Sequence, residues 1–135
     1  MKLSILIPSY NMASKIDQCL HTIFDTNADK NEYEVIVCDS SSDGSMEIYK
    51  KWMEKNNNLK IIHTKNRLPI GPGRNFAWQK CVGDYVLCLD VDDKLASQDT
   101  LKKVLEGLDG KTDIYACPYK SRKDKVDVIY APKTM

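Results

Sequence analysis

No long apolar run occurs in this chain. The first one, Ile5-Leu6-Ile7, is stopped by Pro8, and nothing later approaches the ~20 residues of a membrane span or the ~7–15 of a secretory h-region. Neither sign of charge dominates. Twenty Lys+Arg stand against 19 Asp+Glu, a formal net charge of +1, so the one-sided basic footprint of a nucleic-acid binder is absent and no nucleic-acid partner is expected. There are two His, His21 and His63, and neither sits at ligand spacing from a pair of Cys, which argues against a zinc site. The five Cys are odd in number and contain no C-x-x-C. Cys38, Cys88 and Cys117 lie in strand-like apolar runs, where a free thiol behaves as a small hydrophobe, so a reduced, cytoplasmic protein is expected. The phosphate loop G-x-x-x-x-G-K-[ST] is missing, and no G-x-G-x-x-G follows the first strand-like run. No Ser-His-Asp or Cys-His constellation can be argued from the sequence.

What is present is the composition of one folded domain. The chain has 135 residues and is 42% apolar, a size at which roughly two thirds of the unfolded surface can be buried. Lys2–Ile7 reads as a strand buried on both faces. Ile16, Cys19, Leu20, Ile23 and Phe24 then fall at i, i+3, i+4, i+7 and i+8, one helical stripe, with Ser14 and Asp17 as a capping box. The pattern recurs: strand Tyr33–Cys38, polar loop Ser40–Ser45, and a helix through Ile48, Tyr49, Trp52 and Met53. A short strand Leu59–His63 precedes a loop Lys65–Gly73 and a helix starting near Arg74. Strand Tyr85–Leu89 is followed by a helix through Leu101, Val104, Leu105 and Leu108, capped by Ser97 or Asp99. Ile114–Pro118 reads as a fifth strand, Ser121–Lys125 as a turn, and Val126–Ala131 as a returning antiparallel strand. Tyr10, His21, Trp52 and Trp78 are assigned mainly to packing.

Alternating strands and helices predict an α/β fold with a mostly parallel sheet, and ligands bind such sheets outside the carboxyl ends of the strands. The residues there are Ser9-Tyr10-Asn11, Asp39, and Asp90-Val91-Asp92-Asp93. Three carboxylates in four residues repel one another unless a hard cation such as Mg²⁺ or Mn²⁺ sits among them. They read as well as a polar turn feeding the acidic start of a helix. Asp39 is either a turn residue or an acceptor for a base N–H. Lys65, Arg67 and Arg74 flank Gly71-Pro72-Gly73, which suits a diphosphate or an ordinary solvated loop.

Four stretches together resemble the N-terminal part of family 2 glycosyltransferases of the GT-A fold. They are Ile5-Leu6-Ile7-Pro8-Ser9-Tyr10-Asn11, Val35-Ile36-Val37-Cys38-Asp39-Ser40-Ser41-Ser42-Asp43-Gly44-Ser45, Gly71-Pro72-Gly73-Arg74-Asn75-Phe76-Ala77, and Gly83-Asp84-Tyr85-Val86-Leu87-Cys88-Leu89-Asp90-Val91-Asp92-Asp93. They occur in the family's order and extend the likeness over roughly residues 2–118. The resemblance implies a GT-A, Rossmann-like, mostly parallel sheet with helices on both faces, truncated at the C-terminus. Residues 1–135 would then be one nucleotide-sugar-binding domain, with the acceptor half absent. Pro8, Ser9, Tyr10 and Asn11 would line the nucleotide pocket, and Asp39 would read the base. Arg74 would sit near the diphosphate and Asp92 by the ribose. Asp93, supported by Asp92 and Asp90, would hold Mn²⁺ or Mg²⁺. Three positions depart from the family pattern: Cys38 replaces the first acid of a pair, Ser40 a common Gly, and Gly73 an Ala.

The implied activity is metal-dependent, inverting transfer of a sugar from a nucleotide-sugar donor, UDP-linked by preference, to a glycan, lipid-linked or other hydroxyl acceptor. The general base is expected beyond residue 135, since Asp113, Asp124 and Asp127 come before its usual place. The implied location is the cytoplasm, with peripheral association at the inner face of the membrane. An uncovered apolar edge would favour a homo-oligomer. The alternative is a non-catalytic donor-binding module that needs a further C-terminal segment or a partner chain.

Overall fold

The structure, a computed structural model, describes residues 1–113, 119–123 and 126–130. Strands β1 (Leu3–Ser9), β2 (Tyr33–Asp39), β3 (Leu59–His63) and β4 (Tyr85–Cys88) form one sheet in the order β3-β2-β1-β4. Every pairing in it is parallel. Helices α1 (Ala13–Phe24), α2 (Ser45–Lys55), α3 (Ile70–Trp78) and α4 (Thr100–Gly107) alternate with or follow these strands. This is the α/β arrangement with helices on both faces that the alternation predicts.

The two faces bury separate cores, because side chains alternate along a strand. Leu3, Ile5 and Ile7 of β1 join Val35 and Val37 of β2 on one face, under Ile16, Leu20 and Ile23 of α1 and Leu101 and Leu105 of α4. Leu6, Ile36 and Cys38 face the other way, against Ala77 of α3. All seven residues of β2 are buried, as a central strand covered twice requires. The five residues of the predicted α1 stripe are all buried, each apolar side chain of that size stabilising by about 1.5–3 kcal/mol.

Several local expectations give way to longer-range contacts. The α1 capping box does not form. Met12 is the cap residue, Asp17 accepts the indole N–H of Trp52 at 2.8 Å, and the N–H of Ala13 reaches Asp43 Oδ2 at 3.3 Å. Asp99 caps α4 by position only, since its carboxylate accepts from Asn27 at 3.0 Å, and Ser97 turns its hydroxyl to Thr100. Helix α3 begins four residues before Arg74 and takes in Gly71-Pro72-Gly73, so the predicted loop ends earlier. Pro72 is accommodated because first-turn N–H groups have no intrahelical acceptor, and the N–H of Gly73 closes the first turn on the carbonyl of Pro69 at 2.9 Å. Cys88 is exposed and is not packed away as a small hydrophobe. Trp78 is 58% exposed and Tyr10 37%, so of the aromatics assigned to packing only Trp52 stacks in the core, 6.1 Å from Phe24. His21 also lies at the surface, paired with Asp25.

Strands β5 (Tyr119–Lys123) and β6 (Val126–Tyr130) pair antiparallel. The antiparallel return is as expected, while Ser121–Lys123 are strand where a turn was predicted. The fifth strand predicted at Ile114–Pro118, with Cys117, lies outside the described residues.

Candidate active site

Parallel strands present their carboxyl ends at one side of the sheet, and the register aligns Ser9 of β1 with Asp39 of β2 and Asp39 with His63 of β3. Asp39 is fully buried. Its Oδ1 accepts the Ser41 hydroxyl at 2.6 Å, and its Oδ2 lies 3.1 Å from His63 Nδ1. A carboxylate only accepts, so that nitrogen carries the proton. The backbone is also held there, as the N–H of Thr64 donates to the Asp39 carbonyl at 2.8 Å.

The loop after β1 is tied to the loop after β2. Asn11 takes a left-handed conformation, φ 48°, which Asn tolerates better than most residues. Its N–H donates to Ser41 Oγ at 2.8 Å, and its side-chain oxygen accepts from the N–H of Ser42 at 2.8 Å. Asp43 bridges the starts of α1 and α2 by accepting from Ala13 and from the backbone and hydroxyl of Ser45. Ser45's hydroxyl, first among these contacts, holds the Asp43 carboxyl below the usual range. Ser9 is turned inward and accepts the phenol of Tyr49 at 2.7 Å. Pro8 is half-buried, and Tyr10 carries the Arg67 guanidinium over its ring, 4.1 Å from the centroid.

The acidic segment leaves the adjacent strand end. The N–H of Asp93 donates to the carbonyl of Asp90 at 2.9 Å, and this tight turn buries Val91 and throws the three acids to one side. One carboxylate oxygen from each of Asp90, Asp92 and Asp93 lies within 4.8 Å of the others. Burial, then the charges of Asp92 and Asp90, push the Asp93 carboxyl up. Arg74 on α3 donates from Nη2 to Asp90 Oδ1 at 2.8 Å, while its Nε is buried without a partner. One guanidinium thus faces three acids. The surplus of negative oxygen donors at close range fits a hard divalent cation.

The structure brings Asp90, Asp92, Asp93 and Arg74 together, and it ties Asn11 to Asp39 through Ser41, while Tyr10 contacts Arg67. The sequence does not mark His63, Ser41 or Asp43 individually as site residues, whereas it offers Arg67, with Lys65 and Arg74, for a diphosphate or an ordinary solvated loop, and the structure lays Arg67 on the Tyr10 ring. His63 had a signal only for a reader who knew that β3 pairs with β2 in this register. A cleft of about 720 Å³ lies elsewhere, beside β4 between Trp78, Tyr85, Val104 and Leu108, and none of the strand-end acids lines it. Among the described residues no helix is long and apolar enough to cross a membrane.

Comparison with known proteins follows the same outline. The family model described as Glycosyl transferase family 2 matches residues 4–135. The poly(ribitol-phosphate) beta-glucosyltransferase of Bacillus spizizenii is 34% identical over 116 residues, which cover 84% of this chain and 18% of that protein. The structure of Staphylococcus aureus TarS 1–349 in complex with UDP-GlcNAc superposes with a TM-score of 0.73 at 33% identity, over 78% of this chain and 30% of that one. The mannosyltransferase PcManGT from Pyrobaculum calidifontis, in complex with GDP-Man and Mn²⁺, gives a TM-score of 0.69 at 27% identity, over 74% of this chain and 30% of that one. The chain spans less than a third of the length of each of these three.

Proposed function

The chain belongs to glycosyl transferase family 2, and on that premise we propose that it forms the donor site of a glycosyltransferase, taking a UDP-linked sugar for transfer to an acceptor hydroxyl. The single observation that carries this reading is the Asp90–Asp93 turn. It holds three carboxylates within 4.8 Å of one another against one guanidinium, at the same end of the sheet as the buried Asp39. Relatives solved with UDP-GlcNAc and with GDP-Man and Mn²⁺ support the donor class.

In this reading Asp39 accepts a base N–H, with Ser41 and His63 holding its carboxylate in place. Tyr10 and the backbone of Pro8–Asn11 line the base pocket, and Asp92 lies by the ribose. Asp93, with Asp92 and Asp90, would hold Mn²⁺ or Mg²⁺, and a bound ion supplies neutralisation of the diphosphate charge. As the bond from the anomeric carbon to the diphosphate oxygen breaks, negative charge grows on the leaving group. Arg74, already positioned by Asp90 and with a spare Nε donor, stabilises that charge.

Titration calorimetry with UDP, with and without Mn²⁺, tests the reading. UDP should bind more tightly with the ion, Asp93→Ala should abolish the difference, and Asp39→Ala should weaken UDP more than pyrophosphate. Absence of metal-dependent affinity for UDP, GDP and their sugars would overturn it.

A further inference from the structure

Asp90 has two uses that compete. It accepts the Nη2 donor of Arg74 on Oδ1 at 2.8 Å, in an ion pair whose side chains are 39% (Arg74) and 45% (Asp90) exposed. It is also one of the three carboxylates whose oxygens come within 4.8 Å of one another. Among the described residues Asp92 and Asp93 enter no ion pair, so the guanidinium answers one acid of the three. A guanidinium and a divalent ion drawn to one carboxylate repel each other, so Asp90 serves either cation best in the absence of the other. The guanidinium is also incompletely satisfied where it stands. Its Nε is buried with no acceptor among the described residues, an arrangement that costs free energy.

We infer that Arg74 and Asp90 form an exchangeable pair: Asp90 holds the guanidinium in reserve while the acidic turn carries no divalent ion, and yields it when one is bound there. A pair this open to solvent is weak and breaks readily. Release needs no movement of α3, whose first turn is closed by Gly73 on Pro69 and whose Ala77 is buried against Leu6 and Ile36 of the sheet. Rotation within the Arg74 side chain suffices. Once released, Nη2 and Nε are both available to phosphate oxygens. Ion and anionic ligand are then coupled through Arg74, each raising the other's affinity by the same factor. This inference rests on the donor-site reading above and deepens it by linking the ion to the diphosphate through a side chain.

Titration with Mn²⁺ alone, followed by the electron paramagnetic resonance of the free ion, tests the exchange in wild type, Arg74→Gln, Asp90→Asn and the double variant. Removing the competing guanidinium should tighten Mn²⁺ binding roughly ten-fold in Arg74→Gln. In the Asp90→Asn background no carboxylate is left to share, and the same change should leave Mn²⁺ affinity within about two-fold. Both side chains are partly exposed, so equal melting temperatures will confirm that folding is intact. Mn²⁺ binding that is unchanged or weaker in Arg74→Gln overturns the exchange and leaves Arg74 as a brace for Asp90. A gain of equal size in the Asp90→Asn background also overturns it, reducing Arg74 to a generic positive charge. Failure of all four proteins to bind Mn²⁺ removes the exchange. If UDP together with Mn²⁺ then also fails to bind wild type, the donor-site reading falls with it, whereas UDP binding that depends on Mn²⁺ keeps that reading and loses the exchange alone.

Discussion

Glu34 is a carboxylate at the second position of the fully buried strand β2, 1% exposed, and its removal should be among the most destabilising single changes in the sheet. Its Oε2 accepts the Ser4 hydroxyl at 2.7 Å and the Val82 N–H at 2.8 Å, and its Oε1 lies 3.3 Å from Lys60 Nζ. Ser4 in turn accepts the N–H of Gly83 at 2.8 Å, so one carboxyl group joins β1, β2 and the entry to β4. Glu34→Ala strands the fully buried Ser4 hydroxyl and the part-buried Val82 N–H. At about 1–3 kcal/mol per unsatisfied buried donor, the second partly re-solvated, the loss should be about 2–4 kcal/mol. Lys60, 57% exposed, adds no more than a surface pair would, ~0–1 kcal/mol. Glu34→Gln keeps the shape and one acceptor, and should cost about 1–2 kcal/mol. Urea unfolding followed by circular dichroism at neutral pH measures both.

The pH dependence has a definite sign. Burial pushes the Glu34 carboxyl up, but the bonds from Ser4, Val82 and Lys60 outweigh it and hold the group below its ordinary value of 4.5. A carboxyl lowered in the folded state stabilises above the unfolded value and loses that contribution as pH falls through the folded one. The gap between wild type and Glu34→Gln should therefore be full at neutral pH and shrink below pH 4.5. A loss under about 1 kcal/mol for Glu34→Ala, or a gap that stays constant down through that range, would refute the network as a stabilising unit.

Three further outcomes can be checked. Gly83→Ala would put a Cβ 2.6 Å from the backbone of Leu3 and Ser4, so it should destabilise by about 1–3 kcal/mol in thermal unfolding, and an unchanged melting temperature would contradict the packing. Asn11→Ala should be less stable than Asn11→Gly by about 1–2 kcal/mol, because both lose the side-chain bonds but only Ala is strained at φ 48°; equal stability would contradict that backbone conformation. Cys88, exposed, should be alkylated in the native protein, whereas Cys19, buried and with its thiol pushed up to about 12 by burial and then by Asp93 and Asp92, should react only on unfolding. Peptide mapping that finds Cys19 modified first would contradict the placement of α1.

Much of the fold is legible in residue spacing. The five-residue stripe of α1 and the apolar run Val35–Cys38 of β2 report faces that the structure does bury, because helical and strand periods are local properties of the chain. Caps are less legible. Ser14-x-x-Asp17 has the form of a capping box, but the indole of Trp52, 35 residues away, takes the Asp17 carboxylate. The start of α3 is missed for a similar reason: Gly-Pro-Gly reads as a breaker, although Pro is tolerated in a first turn.

Sequence alone therefore determined the order of the elements, the strand-end position of Asp39 and of Asp90, Asp92 and Asp93, and the family to which the motifs belong. All of these are carried by short stretches whose chemistry is local. Tertiary structure alone decided the partners: His63 beside Asp39, Arg67 on Tyr10, Arg74 on Asp90, and Glu34 beneath Ser4 and Val82. Each joins residues from 16 to 57 positions apart, and only the strand order and register bring them within bonding distance. A periodic pattern states which side of an element is apolar. It does not state which other element will be laid against it, and that choice places the polar groups of the site.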